Sequence, residues 1–196
     1  MEKFNDSLIS ADIIDYSKDI DKLRFLTRYQ NCPRVINENV AAHSFFVAAF
    51  ILKLKDFYEF DLEKALKTAL IHDMPEAFIS DVPHSIKVRN KDLADALEKI
   101  EHTVLEEHLS PEAACLVDAM NEGTNAEGLA CQLADILSVV LYAHDEIEVG
   151  NSKFKLIASK ALIRVNQVMD KMKVFLKPNV SHEEVSAKIN MIVYED

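Results

Sequence analysis

Apolar residues recur at helical spacing along most of this chain, and the pattern is interrupted where turn-forming residues cluster. Between about Ala11 and Thr27, Ile13, Ile14, Ile20, Leu23 and Leu26 mark one apolar side, and the spacing predicts a core-facing helix. Gln30-Asn31-Cys32-Pro33 and Asn37-Glu38-Asn39 break the pattern, leaving Arg28 and Tyr29 at a helix end that opens onto a loop. Asn39 is placed to cap a strongly apolar helix running to about Leu54. Asp61 likewise precedes a helix that passes through Ala69-Leu70-Ile71 into His72-Asp73-Met74-Pro75-Glu76. Pro75 lacks a backbone donor, so that helix ends or kinks there.

Ser80 to Asn90, with Pro83, reads as a loop. Leu93, Leu97, Ile100, Val104 and Leu105 predict an amphipathic helix over Lys91 to Leu109, with its charged side in solvent. Asn121 to Gly128 holds two glycines and reads as a loop. The apolar run from Leu129 to Leu141 predicts a helix ended by Gly150-Asn151. A further helix runs from about Phe154 to Phe175, and His182-Glu183-Glu184 opens a short one after Pro178. Only 3 glycines and 5 prolines serve the whole chain, too few for the tight turns of a sheet, so the fold class is all-α. With 196 residues and 49% hydrophobic content the chain can bury one core. We therefore expect a single domain over residues 1–196, with its core at about 20–175 and a tail from 176 to 196.

Charge and cysteine content narrow the function classes. A net charge of −11 opposes binding of a nucleic acid polymer, whose affinity comes largely from many Lys and Arg contacts, but it leaves room for a small anionic substrate. Cys32, Cys115 and Cys131 are odd in number and lack metal-type spacing, which suits reduced thiols. The charged N-terminus is no secretion signal, and the longest apolar run, near Phe45 to Leu54, is interrupted at Lys53. No membrane span is expected, and the location implied is cytoplasmic. Glu101, Glu106, Glu107 and Glu146-Ile147-Glu148 read as solvated faces.

The pair His72-Asp73 sets an imidazole beside a carboxylate, and Glu76 follows at i+4 and i+3, on the same face if the segment is helical. His43 stands early in the helix after Asn39, and Asp135 lies amid Leu133, Ala134, Ile136 and Leu137. Alone, His43 fits a core histidine and Asp135 a paired carboxylate. Together, two imidazoles and two carboxylates on three apolar helices form a set for one divalent ion with positions left for water and a substrate oxygen. Imidazole ligands favour Co, Mn, Zn or Fe over Mg. His102 and His108 are six residues apart, about 120° off a shared helical face, and sit among glutamates. They are expected on the surface, which leaves a single metal.

The order His43, His72-Asp73, Asp135 resembles that of the HD-domain phosphohydrolases, and the local motifs are similar to the YfbR-type 5'-deoxynucleotidases among them. The resemblance covers roughly residues 20 to 165. Its motifs are Arg28-Tyr29, Glu38-Asn39-Val40 followed by His43-Ser44, His72-Asp73 with Glu76, Asp81-Val82-Pro83 with Lys87, Ala134-Asp135, and Gly150-Asn151. It implies a helical HD-domain bundle, His43, His72, Asp73 and Asp135 as metal ligands, Glu76 as the catalytic acid and Asp81 as a second essential carboxylate. Arg28 would grip the substrate phosphate, and a homodimer is implied on this ground only. Because two carboxylates neutralise a divalent ion, phosphate affinity needs added cations, and Arg28 and Lys87 are the nearest in the motif set.

The chain also departs from that pattern. Tyr29 stands where the bacterial nucleotidases carry Trp, so the aromatic wall that excludes a 2'-hydroxyl is smaller and bears its own hydroxyl. His84-Ser85 replaces a common Thr-Pro, and Ser80 replaces a Gly before Asp81. The implied reaction is hydrolysis of nucleoside 5'-monophosphates, with dNMP preferred over NMP, though less strongly than with Trp. The alternative is a dNTP triphosphohydrolase, which calls for more basic residues at the phosphate entrance than Arg28 and Lys87. A (p)ppGpp hydrolase carries a further acid after Glu76, where this chain has Ala77, and a nucleotide-sensing module would not need Glu76 at all.

Overall fold

The computed structural model describes residues 11–80, 82 and 84–194. Among them the chain forms ten α-helices: α1 (Ala11–Lys22), α2 (Val40–Leu54), α3 (Leu62–Ile71), α4 (Glu76–Ile79), α5 (His84–Arg89), α6 (Lys91–His108), α7 (Pro111–Glu122), α8 (Ala126–Glu148), α9 (Lys155–Met172) and α10 (His182–Tyr194). The described residues contain two isolated β-bridges and no strand, as the all-α expectation requires.

Short polar side chains start these helices. The side chains of Asn39, Asp61, Asn90, Ser110 and Asn125 accept from the amides of Ala42, Lys64, Leu93, Ala113 and Gly128, each satisfying an amide that has no partner within its helix. Gly123 closes α7 at φ 63°, a left-handed conformation that glycine adopts without a side-chain clash. α3 stops at Ile71, ahead of Pro75, and the chain turns through i+3 bonds such as Met74 N to Ile71 O and Glu76 N to Asp73 O.

α8 is the central element. Leu129, Leu133, Ile136, Leu137 and Val140 are buried on it, and they share the main core with Val47 and Ile51 of α2, Ala65 and Ala69 of α3, and Val165, Val168 and Met172 of α9. Val185 and Ile189 of α10 join the same core, so the segment read as a tail from the sequence packs onto the bundle.

Several expectations change with packing. The first helix ends at Lys22 and not at Thr27, because Leu26, Arg28 and Val40 form backbone bonds across to the residues around Glu38. The Ser80–Asn90 loop contains the short helix α5. The loop drawn over Asn121–Gly128 shrinks to three residues, Gly123 to Asn125, between α7 and α8. Gly128 is helical and lies against α7 so closely that a Cβ there would come 2.4 Å from Ala119 O. α8 is, by length and composition, apolar enough to cross a membrane, contrary to the expectation drawn from the Phe45–Leu54 run; 72% of its most apolar stretch is buried inside the bundle.

Candidate active site

Three helices bring the chemistry together. α2 presents His43 in its first turns, the end of α3 presents His72 and Asp73, and the middle of α8 presents Asp135. His43 is fully buried; its Nε2 lies 3.1 Å from Asp135 Oδ1 and 3.5 Å from Asp73 Oδ2. His72 Nε2 lies 3.3 Å from Asp73 Oδ2, and the two rings are 5.5 Å apart between centroids. Ligating atoms of His43, His72 and Asp135 all fall within 4.8 Å of one another.

The second nitrogen of each ring fixes which way the first one points. His72 Nδ1 is 2.9 Å from the carbonyl of Ala69, which can only accept, so Nδ1 carries the proton. His43 Nδ1 is 3.0 Å from Ser138 Oγ. Both Nε2 atoms therefore aim at carboxylate oxygens in the interior without making an aligned hydrogen bond. Two imidazole nitrogens facing two carboxylates fit a divalent transition metal, and the buried nitrogens that such an ion would satisfy have no other partner.

The electrostatics agree. Burial opposes a charge on His72, yet the Asp73 carboxylate beside it outweighs burial and raises its pKa to about 9. For His43 burial wins, with Arg28 adding to it, and the pKa is lowered. Burial works against ionisation of Asp73 and Asp135, but His72 for the first and His43 for the second hold both below the usual carboxylate range. The protein thus keeps two anions and a proton side by side, an arrangement that a divalent cation can take over.

A cavity of about 780 Å³ opens on this cluster. Arg28, Tyr29, His72, Asp73, Glu76, Lys87 and Asp135 all line it, so most of the site residues read from the sequence share one space. Asp81 lies outside the described residues. Arg28 is half-buried beside Glu38, at 3.7 Å from Nη1 to Oε2, and stays charged because Asp73, Tyr29, Asp135 and Glu38 counter the cost of burial. Burial raises the Glu38 pKa to about 7 despite Arg28. Tyr29 stacks on Tyr142, with ring centroids 4.8 Å apart, and meets Phe154 edge-on.

In the two runs read as solvated, Glu106, Glu107 and Glu148 are exposed, but Glu101 and Glu146 are turned inward. Glu101 turns toward the cavity and accepts from Lys87 Nζ at 2.8 Å, so the charge of Lys87 is answered within the protein. Glu146 is fully buried and accepts from the amides of Val35 and Ile36 and from Asn151 Nδ2, pinning the loop that follows Tyr29. Asn151 also donates to Pro33 O, which explains the place of Gly150-Asn151 in the pattern. Ser138 carried no site reading in the sequence, Glu38 stood in a motif without a role, and Glu101 and Glu146 were read only as solvated; the available signals were the i+3 spacing of Ser138 from Asp135 and the closeness of Glu38 to His43. The cavity is also lined by Arg89, Lys160 and Arg164. His102 bonds Asp118 at 2.9 Å and His108 faces Asp19, and neither lines the cavity, in keeping with the surface expectation.

An all-helical bundle that sets His72, Asp73 and Asp135 on one cavity with His43 buried behind them has the architecture of an HD-domain phosphohydrolase. The YfbR-like 5'-deoxynucleotidase family matches residues 15–182, and the chain belongs to that family. A 5'-deoxynucleotidase of Pasteurella multocida is 29% identical over 176 residues, covering 81% of this chain and 88% of its own. A conserved hypothetical protein from Pyrococcus furiosus superposes with a TM-score of 0.69 at 27% identity, covering 91% of this chain and 98% of its own. The HD phosphohydrolase of cyanophage S-2L, bound to dA and one catalytic Zn2+ ion, superposes with a TM-score of 0.67 at 16% identity over 90% of this chain and 95% of its own. The protein is an enzyme, a phosphohydrolase of the 5'-nucleotidase kind.

Proposed function

We propose that His43, His72, Asp73 and Asp135 hold one divalent transition metal (Co, Mn, Zn or Fe in preference to Mg), and that the cavity beside them hydrolyses deoxyribonucleoside 5'-monophosphates to nucleoside and phosphate. The observation that carries this is the aim of the two buried Nε2 atoms at the Asp73 and Asp135 oxygens. When bound, such an ion lowers the pKa of water and polarises a phosphoryl oxygen. Arg28 grips the remaining phosphate oxygens with its planar fork, from its place on the cavity beside Asp73 and Asp135. Glu76 orients the attacking water and takes its proton as the bond from phosphorus to the 5'-oxygen breaks. Asp81 protonates the leaving oxygen or holds the sugar, a role taken from the family resemblance. Lys87 adds positive charge to the wall, reduced by its bond to Glu101.

Tyr29 forms the wall that disfavours a 2'-hydroxyl, and its place on the cavity, backed by Tyr142, supports that role. We place the enzyme in the cytoplasm and expect a homodimer, for which exposed Phe45 and Leu52, seven residues apart on α2, offer an apolar surface that light scattering can test. A phosphate-release screen over dNMPs, NMPs and dNTPs, after chelation and with Mn, Co, Zn or Mg restored in turn, tests the whole reading. The expected result is metal-dependent release from dNMPs, with dAMP faster than AMP. Faster turnover of AMP would overturn the deoxy preference, and no release from any monophosphate with any metal would overturn the reaction.

A further inference from the structure

We propose that the outer wall of the cavity is a second anion subsite, formed by Lys160 and Arg164 of α9 with Arg89 of α5, which takes the polyphosphate tail of a nucleoside di- or triphosphate. The proposal rests on the reading of this cavity as a nucleotide site. Ile157, Lys160, Ala161 and Arg164 follow i, i+3, i+4, i+7 spacing, so they form one stripe of α9, and all four line the cavity. Lys160 and Arg164 are exposed to it and form no ion pair or hydrogen bond among the described residues, and the same holds for Arg89.

Acidic residues outnumber basic ones 33 to 22, and Lys22, Lys53, Lys91 and Lys188 each pair with a carboxylate three or four residues away on the chain. At i±3 and i±4 Lys160 and Arg164 meet no acid, only apolar residues, Gln167 and each other. Like charges at i, i+4 repel, and an anion bound between them removes that cost. The cluster at the inner end and Arg28 already answer one phosphate. A monophosphate leaves the α9 cations without a partner, whereas each added phosphate gives them one. A cleft also focuses the field of exposed cations that would be nearly inert on an open surface.

The test is calorimetric titration of dAMP, dADP and dATP into metal-loaded Glu76→Ala protein, with magnesium in excess over nucleotide so that chelation does not imitate binding. Inhibition of dAMP hydrolysis by dATP in the unaltered enzyme is the second measure. Affinity is expected to rise with each phosphate, and dATP to bind about tenfold tighter than dAMP or better. In the double variant Lys160→Ala/Arg164→Ala that ratio should fall by about tenfold, and Arg89→Ala should lower it in the same direction. Both α9 side chains are exposed, so these variants keep the fold. dATP binding no tighter than dAMP, or a ratio unmoved in the double variant, would overturn the subsite while leaving dAMP hydrolysis intact. If neither nucleotide binds and dAMP is not hydrolysed, the nucleotide reading itself fails, and the subsite with it.

Discussion

Ser138 Oγ lies 3.0 Å from Nδ1 of His43, one turn of α8 beyond Asp135, so a single helix supplies both a carboxylate facing the His43 ring and the group that orients that ring. When Nδ1 donates its proton to Ser138, the lone pair on Nε2 is left for an ion held between His43 and the Asp73 and Asp135 oxygens. Removing the hydroxyl in Ser138→Ala frees the ring to choose the other tautomer. Metal affinity should fall about 10- to 100-fold with little change in helix content, measured by metal titration and circular dichroism. Unchanged affinity would mean that packing alone orients His43.

Ligand, water-handling and phosphate-gripping roles separate by what each substitution leaves behind. His72→Ala should lose both metal and turnover. Glu76→Ala should retain metal and nucleotide affinity and lose about two or more orders of magnitude in kcat, whereas Arg28→Ala should act mainly through KM. Metal content by atomic absorption alongside steady-state kinetics gives the comparison. Loss of metal in Glu76→Ala would make Glu76 a ligand, and a fully active His72→Ala protein would remove the metal assignment.

Ser80 is held at φ 66° and ψ 163°, a region that is essentially the preserve of glycine. The Ser80 side chain therefore adds strain at the end of α4. Ser80→Gly should stabilise the protein by about 1–3 kcal/mol, a rise in Tm of about 2–4 °C for each kcal/mol. A lower Tm would show that the serine makes contacts worth more than the strain.

The buried Glu146 carboxylate links the loop after Tyr29 to α8 through the Val35 and Ile36 amides and Asn151. Burial alone would raise its pKa, but the bonds from Asn151, Ile36 and Val35 hold it below the ordinary glutamate range. A depressed pKa contributes stability that is present above about pH 4.3 and is lost as pH falls through the folded value. Glu146→Gln should therefore be less stable than the parent at pH 7, by about 2–3 kcal/mol, with the difference shrinking in acid as the parent protonates. Thermal melts from pH 7 to pH 3 test the convergence; a gap that widens in acid would reverse the sign assigned to Glu146. The loop also carries Arg28 and Tyr29 at its root, so KM should rise in the variant at neutral pH.

Much of this enzyme is written in local chemistry. Apolar spacing and the caps Asn39 and Asp61 determine where helices begin, and Pro75 determines where α3 stops, because these effects act within a few residues. The residue types at His43, His72, Asp73 and Asp135 are enough to suggest one metal, since few other tasks require two imidazoles and two carboxylates on apolar helices. What depends on one helix facing another was decided only by the tertiary structure. Ser138 orients His43, Glu101 neutralises Lys87, and Glu146 is buried under a loop 110 residues distant, although two of these glutamates sit in charge runs that resemble solvated faces. Gly128 looked like a loop residue and proved to be the point where α8 meets α7. The stripe of Lys160 and Arg164 acquires a meaning only because α9 turns it toward the cavity that holds Asp73 and Asp135. Helical periodicity tells which residues share a side of their own helix; the partner of that side is chosen by how the whole core closes around α8.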